Sequence, residues 1–313
     1  MIGDQRGFTL VELLVAATIT LTVTGALLAA INPADGVFST ELEAADQQQR
    51  LRVSAGVFVK DLVMSGLVLP YRSGRTGGDP PGTFRVDAVT TLYSSSFARP
   101  VLATVLPAAS AQARINIGSG CPLNDAVCGL SRASTVLASD DTKSFDTFHV
   151  DDVDGEVLVL RHTMADSAKV YTPGSRLVEA VVRSYFLKID AASDSVQLVR
   201  DDGDGAAVPV VDHVVDLRLE YFGGTSNTER LDASHLADGP WLPDAMSTNR
   251  FDADLLRVRS IAVTIRVESA LAALRGPAGP LFFRGGTSRR GSRFLPDFQM
   301  RVHVSPRNLG KIL

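Results

Sequence analysis

Cysteine, tryptophan and histidine are scarce in this chain, at two, one and five residues among 313. The two cysteines, Cys121 and Cys128, fit no zinc-ligand spacing and have no histidine nearby in sequence, which argues against a zinc centre. The histidines, His149, His162, His213, His235 and His303, stand in no metal or catalytic-triad spacing. No G-x-S-x-G, H-E-x-x-H or G-x-x-x-x-G-K-[ST] motif occurs, so no catalytic constellation is visible and the chain is not expected to be an enzyme. Charge is nearly balanced at −4, which excludes a nucleic acid held by bulk electrostatics. The one basic run, GTSRRGSRF (286–294), is short and reads as a solvated loop. Glycine and proline are unremarkable at 26 and 15, which excludes a collagen-like or low-complexity chain. With 45% apolar residues, disorder along the whole length is excluded too.

The mean hydropathy of +0.13 is high for a soluble protein, and the excess is concentrated. Residues 8–31, FTLVELLVAATITLTVTGALLAAI, carry a single charge, Glu12. As a helix this run is about 36 Å long, enough to cross a hydrocarbon core of about 30 Å. No second run approaches it, so one span is the maximum. A cleaved secretory signal fits poorly, because the apolar run is too long, the basic part is Arg6 alone, and no A-x-A site closes it. Glu12 is the anomaly. A carboxylate one turn inside an apolar helix costs about 2.5–3.5 kcal/mol, and such a residue is a functional hypothesis by default. It calls for a positive partner, and the apolar side of its own helix offers none.

Gly7-Phe8-Thr9-Leu10-Val11-Glu12-Leu13-Leu14-Val15-Ala16 resembles the processing motif of type IV pilins and type II secretion pseudopilins. A short polar leader ends in glycine, phenylalanine follows, and a glutamate stands five residues into the mature chain before an unbroken apolar helix. The resemblance implies cleavage between Gly7 and Phe8 by a prepilin peptidase, which also N-methylates Phe8. Gly7 lets a protease approach the backbone closely. The resemblance further implies that Glu12 of an incoming subunit pairs with the Phe8 amine of its neighbour in the filament. QQQRLRVSAGVFVKDLVMSG (47–66), LVRDDGDGAAVPVVDHVVDLRLEYFG (198–223) and an ending that closes on Arg307-Asn308 are similar to PilW-type minor pilins. J-type pseudopilins share the layout.

Beyond the span, Pro33 and Gly36 predict a kinked or loosened helix over 32–36. Leu51, Ala55, Phe58 and Leu62 then recur at helical spacing, while Glu41, Glu43, Asp46, Arg50, Arg52 and Lys60 read as a solvated face. Past Tyr71 the pattern turns to period two, with strands expected at 84–93, 145–150, 156–162, 179–189, 195–200, 210–222, 256–267 and 298–305. VDDVDGEVLVL and KIDAASDSVQLV read as hairpins, and no βαβ alternation appears. The expected fold is α+β, a pilin-like long helix packed on an antiparallel β head. The expected organisation is leader 1–7, membrane and filament-core helix 8–31, stem helix 32–69, loop-rich insertion 70–144 and β head 145–313. A second loop-rich stretch, 223–250, holds Trp241, read as a packing anchor.

An extracytoplasmic head makes a Cys121–Cys128 disulfide the expected pairing, worth roughly 2–3 kcal/mol. The acidic turns DDVDG (151–155) and DDGDG (201–205) fail the EF-hand pattern, since Val150 and Arg200 fall at position 1 and Arg161 and Val211 at position 12. They read as plain β-turns, so no cofactor is expected, with a non-EF calcium site as the exception. The expected function is a minor pilin, an assembly subunit of a type IV pilus. The alternatives are a minor pseudopilin of type II secretion and a filament-displayed adhesin. Its partners would be other pilins, the peptidase, the inner-membrane assembly platform and membrane lipid, with no nucleic acid. Its place would be the inner membrane, single-pass, and then the pilus surface. Mass spectrometry of the membrane-extracted protein should find a mature chain that begins at an N-methylated Phe8. A chain that starts at Met1, or beyond Ala30, would overturn this processing.

Overall fold

The structure is a computed structural model that describes residues 9–70, 84–94, 98–107, 111–141, 145–162, 169–203, 206–223, 229–232, 243–244, 247–251, 257–288 and 294–309. For 29–37, 111, 243–244 and 247–251 only the backbone is described. Gly7, Phe8, the stretch RSGRTGGDPPG (72–82) and Trp241 lie outside the described residues.

The chain begins with a 55-residue helix, α1 (Leu10–Met64). Strands β1 (Leu67–Leu69), β2 (Ala88–Tyr93), β3 (Arg99–Leu102), β4 (Ala111–Ser119) and β5 (Thr135–Ser139) follow. Next come β6 (Phe145–Asp154), β7 (Val157–His162), β8 (Arg176–Glu179), β9 (Val181–Asp190), β10 (Ser195–Asp201) and β11 (Val208–Asp212). The remainder are β12 (Val214–Gly223), β13 (Glu229–Leu231), β14 (Pro243–Asp244), β15 (Ser247–Phe251), β16 (Val258–Val267) and β17 (Phe298–Val304). The strand pairs among them are antiparallel. The expected α+β class and both hairpins are present, with Gly155 (φ 59°) and Asp194 (φ 50°) supplying the left-handed turn positions.

Two compact units divide the chain. One holds residues 1–48 and 269–296, the other 49–268 and 297–313. The second contains the head. Leu51, Phe58 and Leu62 of α1 are buried in one core with Tyr185, Leu217, Leu219, Ile261, Val263 and Ile265. Two sheets supply that core, ordered β1-β2-β9-β10-β11 and β13-β12-β16-β17. The switch between them lies where the sequence predicts one unbroken strand, 210–222. His213 has φ 55°, a left-handed position that ends β11 in the first sheet and starts β12 in the second. The Arg307-Asn308 ending also has a structural task. The Arg307 amide donates to the Val63 carbonyl (3.1 Å) and the Asn308 side chain to that of Met64 (3.1 Å), which satisfies carbonyls left open at the helix C-terminus.

The helix continues across Pro33 and Gly36. A proline inside a helix costs about 3 kcal/mol and one hydrogen bond, and long helical segments on both sides carry that cost here. The stem helix ends at Met64, and 67–69, assigned to it from sequence, is a strand paired with β2. The solvated face is interrupted as well. Glu43 is buried and accepts the Ala270 amide at 2.6 Å, while Arg50 pairs with Asp212 at 3.2 Å.

The larger difference concerns 70–144. Its described part holds β2 to β5, and β3, β4 and β5 close a six-stranded barrel, β3-β4-β7-β6-β5-β8, with strands from beyond 144. Leu102, Leu106, Val136, Phe148, Leu158 and Leu160 are among its buried interior residues. Along β5, Val136 and Ala138 face this interior, whereas Leu137 belongs to the main core. Strand alternation thus places one strand between two cores.

One polar contact ties helix to sheet. Asp61, almost fully buried, accepts from Arg183 Nη1 at 2.8 Å and from the Tyr185 hydroxyl. The Tyr185 hydroxyl pKa is raised by burial and by its bond to Asp61, so the phenol remains a donor. Phe58, one helical turn away, packs at a tilt against the Tyr185 ring with centroids 5.0 Å apart. Asp61→Ala should cost about 1–3 kcal/mol, because the buried Tyr185 hydroxyl loses its acceptor while Arg183 keeps Asp202 at 3.4 Å. Asp61→Asn, which keeps an acceptor, should cost less. Thermal unfolding of the detergent-solubilised chain checks this, and an unchanged transition in Asp61→Ala would show that the contact contributes nothing.

Candidate functional site at the helix N-terminus

Thr9 is the first described residue and it caps α1. Its amide and hydroxyl donate to Glu12 Oε2 at 2.9 and 2.8 Å. Its Oγ1 in turn accepts the Glu12 amide at 3.3 Å. This reciprocal arrangement is a capping box, S/T-x-x-E/Q, which satisfies amides that the helix leaves open. Glu12 therefore has a partner that the sequence reading missed. Its signal in the sequence is the spacing Thr9-x-x-Glu12 ahead of an apolar run.

From Leu10 to Leu28 the helix is apolar, long enough to span a bilayer, and unburied along its whole length. Leu10, Val11, Leu13, Leu21 and Leu27 are all more than half exposed. The threonines in this stretch would burden a lipid-facing helix if their hydroxyls were unmet. Thr18, Thr20, Thr22 and Thr24 instead donate to carbonyls three or four residues back, at 2.7–3.1 Å. Each polar group is satisfied inside the helix, as a hydrocarbon solvent requires.

The other residues singled out from sequence lie elsewhere. Cys121 and Cys128 are disulfide-bonded in the head, between β4 and β5. Asp125 folds the enclosed loop, accepting the amides of Val127 (3.0 Å) and Gly129 (2.7 Å). The acidic turn at 201 is an Asx turn, with the Gly203 amide on Asp201 Oδ1 at 2.8 Å. His162 and Asp146 meet inside the barrel, Nε2 to Oδ1 at 3.1 Å, with the Phe148 ring edge-on to the imidazole. Burial, and then the Asp146 charge, raises the Tyr171 hydroxyl pKa beside them. That group is enclosed by the barrel core, whereas the N-terminal segment has its whole surface available.

Residues 2–28 match the family model described as the prokaryotic N-terminal methylation motif. No curated protein and no solved structure matches the chain. The motif supports a pilin-like or pseudopilin-like substrate of a prepilin peptidase and, with the candidate membrane helix, is consistent with the type IV pilin superfamily.

Proposed function

We propose that this chain is a minor pilin, cleaved and N-methylated at Phe8, that enters a type IV pilus through its N-terminal helix. The carrying observation is the bare helix itself. Leu10–Leu28 has no protein packed on it, so lipid before assembly and neighbouring helices after it are the two surroundings that suit it. The head would be extracytoplasmic, in keeping with its disulfide. Other pilins, the peptidase and the assembly platform would be its partners, and its work would be assembly without catalysis. The large head inclines the choice toward a pilus over a type II secretion pseudopilus. A second reading, display of a binding surface by the filament, draws on one observation. The disulfide-closed loop holds Leu123 out at 95% exposure, and Ile117 on the adjoining β4 is 60% exposed.

Glu12 would have two tasks, and they can be separated. Capping needs only an acceptor, which Gln supplies. Pairing with a neighbour's Phe8 amine needs the negative charge. Both Glu12→Gln and Glu12→Ala should insert and be cleaved, and both should enter filaments at least about a hundredfold less than the native chain, as loss of one partner of a buried pair implies. Immunoblots of sheared filaments against membrane fractions give the ratio. Normal assembly of Glu12→Gln with failure of Glu12→Ala would reduce Glu12 to its cap. Normal assembly of both would remove Glu12 from assembly altogether.

A further inference from the structure

The two sheets that supply the main core are open, and each has two edges among the described residues. Three of these edges are guarded in ways that proteins use against unwanted pairing. β1 and β13 are three residues long. β11 carries Pro209, and its pairing with β10 has a bulge. The remaining edge, β17, has seven residues, no proline and an unbroken register with β16, from Val267↔Phe298 to Ile261↔Val304.

The hydrogen bonds fix which groups of β17 are left over. The Leu219 amide donates to the Val86 carbonyl at 2.7 Å, away from β16. In an antiparallel pair, the residue opposite such a position also turns its backbone groups away from the partner strand. Val263 is that residue, so its N–H and C=O bond to β17, opposite Val302. Alternation then gives Phe298, Met300 and Val302 to the ladder with β16. The N–H and C=O of Gln299, Arg301 and His303 point the other way, where no described residue meets them.

Side chains at this edge divide by face. Phe298, Met300 and Val302 pack against the main core and remain partly exposed, while Val263 and Ile265 of the neighbouring β16 are at 0% exposure. The core is therefore incompletely covered along β17. Gln299, Arg301 and His303 lie on the opposite face and are exposed. Arg301 contacts Glu220 at 2.6 Å, and Arg230 contacts the same carboxylate at 3.3 Å. Two guanidiniums share one carboxylate, which leaves positive charge in excess beside the edge, and β17 itself holds no acid. Two β17 edges paired over their full length would set Arg301 against Arg301, and like charges directly opposite are destabilising.

We propose that β17 accepts an extended segment of another protein as an added strand, with apolar residues beside Phe298, Met300 and Val302 and an acidic residue opposite Arg301. Main-chain bonds to Gln299, Arg301 and His303 supply affinity, and the alternation of apolar and acidic side chains supplies selectivity. The added strand would also close the core at its open side. This site lies in the head and does not depend on how the N-terminal helix is used.

The probe is a fluorescein-labelled peptide, Val-Thr-Val-Glu-Val-Thr-Val, whose symmetry lets it pair in either direction. It is added to the full chain in detergent and followed by fluorescence anisotropy. Saturable binding is expected, and N-methylation of the threonine and glutamate amides should weaken it about tenfold or more, as the loss of three donors implies. Lysine in place of the peptide glutamate should weaken binding, and Arg301→Glu in the protein should reverse that preference. Arg301→Pro removes an amide on the open side and leaves the ladder with β16 intact, so it should abolish binding with an unchanged thermal unfolding transition. Where that variant fails to fold, the N-methylated peptide makes the same test on the native chain. No binding at about 1 mM peptide, equal binding of the N-methylated peptide, or indifference to the lysine replacement overturns the proposal. Self-association of the full chain that Arg301→Pro abolishes would assign the edge to a second copy, which overturns it as well.

Discussion

One helix runs from Leu10 to Met64, and the different demands of its two ends constrain the rest of the chain. The first part of the helix is bare on all sides from Leu10 to Leu28, and its threonine hydroxyls are bonded inward. The last part presents a one-sided stripe, Leu51, Phe58 and Leu62, to a β core. The two halves obey different solvents. The head holds the second half by polar contacts as well as by that stripe. The Asp61 contact with Arg183 and Tyr185 and the Arg307-Asn308 cap on the helix C-terminus both serve that end. The Asp61 bonds lie in a largely desolvated setting, where hydrogen bonds are costly to leave unmade.

The capping box alters the chemistry of the N-terminus. A carboxylate that already accepts the Thr9 amide and hydroxyl is held close to the helix axis in one rotameric arrangement. It meets the positive end of the helix dipole there. Any cation that approaches from another subunit would find the carboxylate oriented, and a carboxylate has lone pairs to spare beyond two donors. The cap and an intersubunit pair are therefore compatible at one side chain. A residue that looks like a penalty in a list of membrane-helix residues is stabilised locally before any partner arrives.

Much of the head was legible because its strands are long and half-buried. The edges of β7, β9, β10, β16 and β17 fall within a residue or two of the period-two segments, and the helical stripe is the buried face. What escaped had physical reasons. Barrel closure depends on β8, only four residues, which pairs with β3 and β5 far away in sequence, and no local pattern encodes a long-range pairing. Strands β3 to β5 sit among Ala, Ser, Gly and Pro, so composition suggested loops. The sheet switch at His213 leaves the alternation intact on both sides, and the left-handed φ at a histidine leaves no mark in sequence. Glu43 seemed solvated because its partner, the Ala270 amide, belongs to a loop 227 residues away. At the N-terminus the motif was legible, while its cap was a four-residue signal overshadowed by the charge.

The barrel bears on how the head could have acquired a specific role. An appended binding module would normally close on its own and leave its host intact when removed. Here β5 and β6 contribute to two cores at once: Leu137 and Phe145 to the main one, Val136, Ala138, Phe148 and Val150 to the barrel. Removing 70–144 would also take β2, which lies between β1 and β9 in the main sheet. Such a deletion would expose the core against which α1 packs and would disturb assembly whatever the barrel does. The barrel and the core that holds α1 are mechanically joined in this head. Their roles can be separated only by changing exposed side chains that touch neither core, of which Leu123, on its disulfide-closed loop, is the clearest.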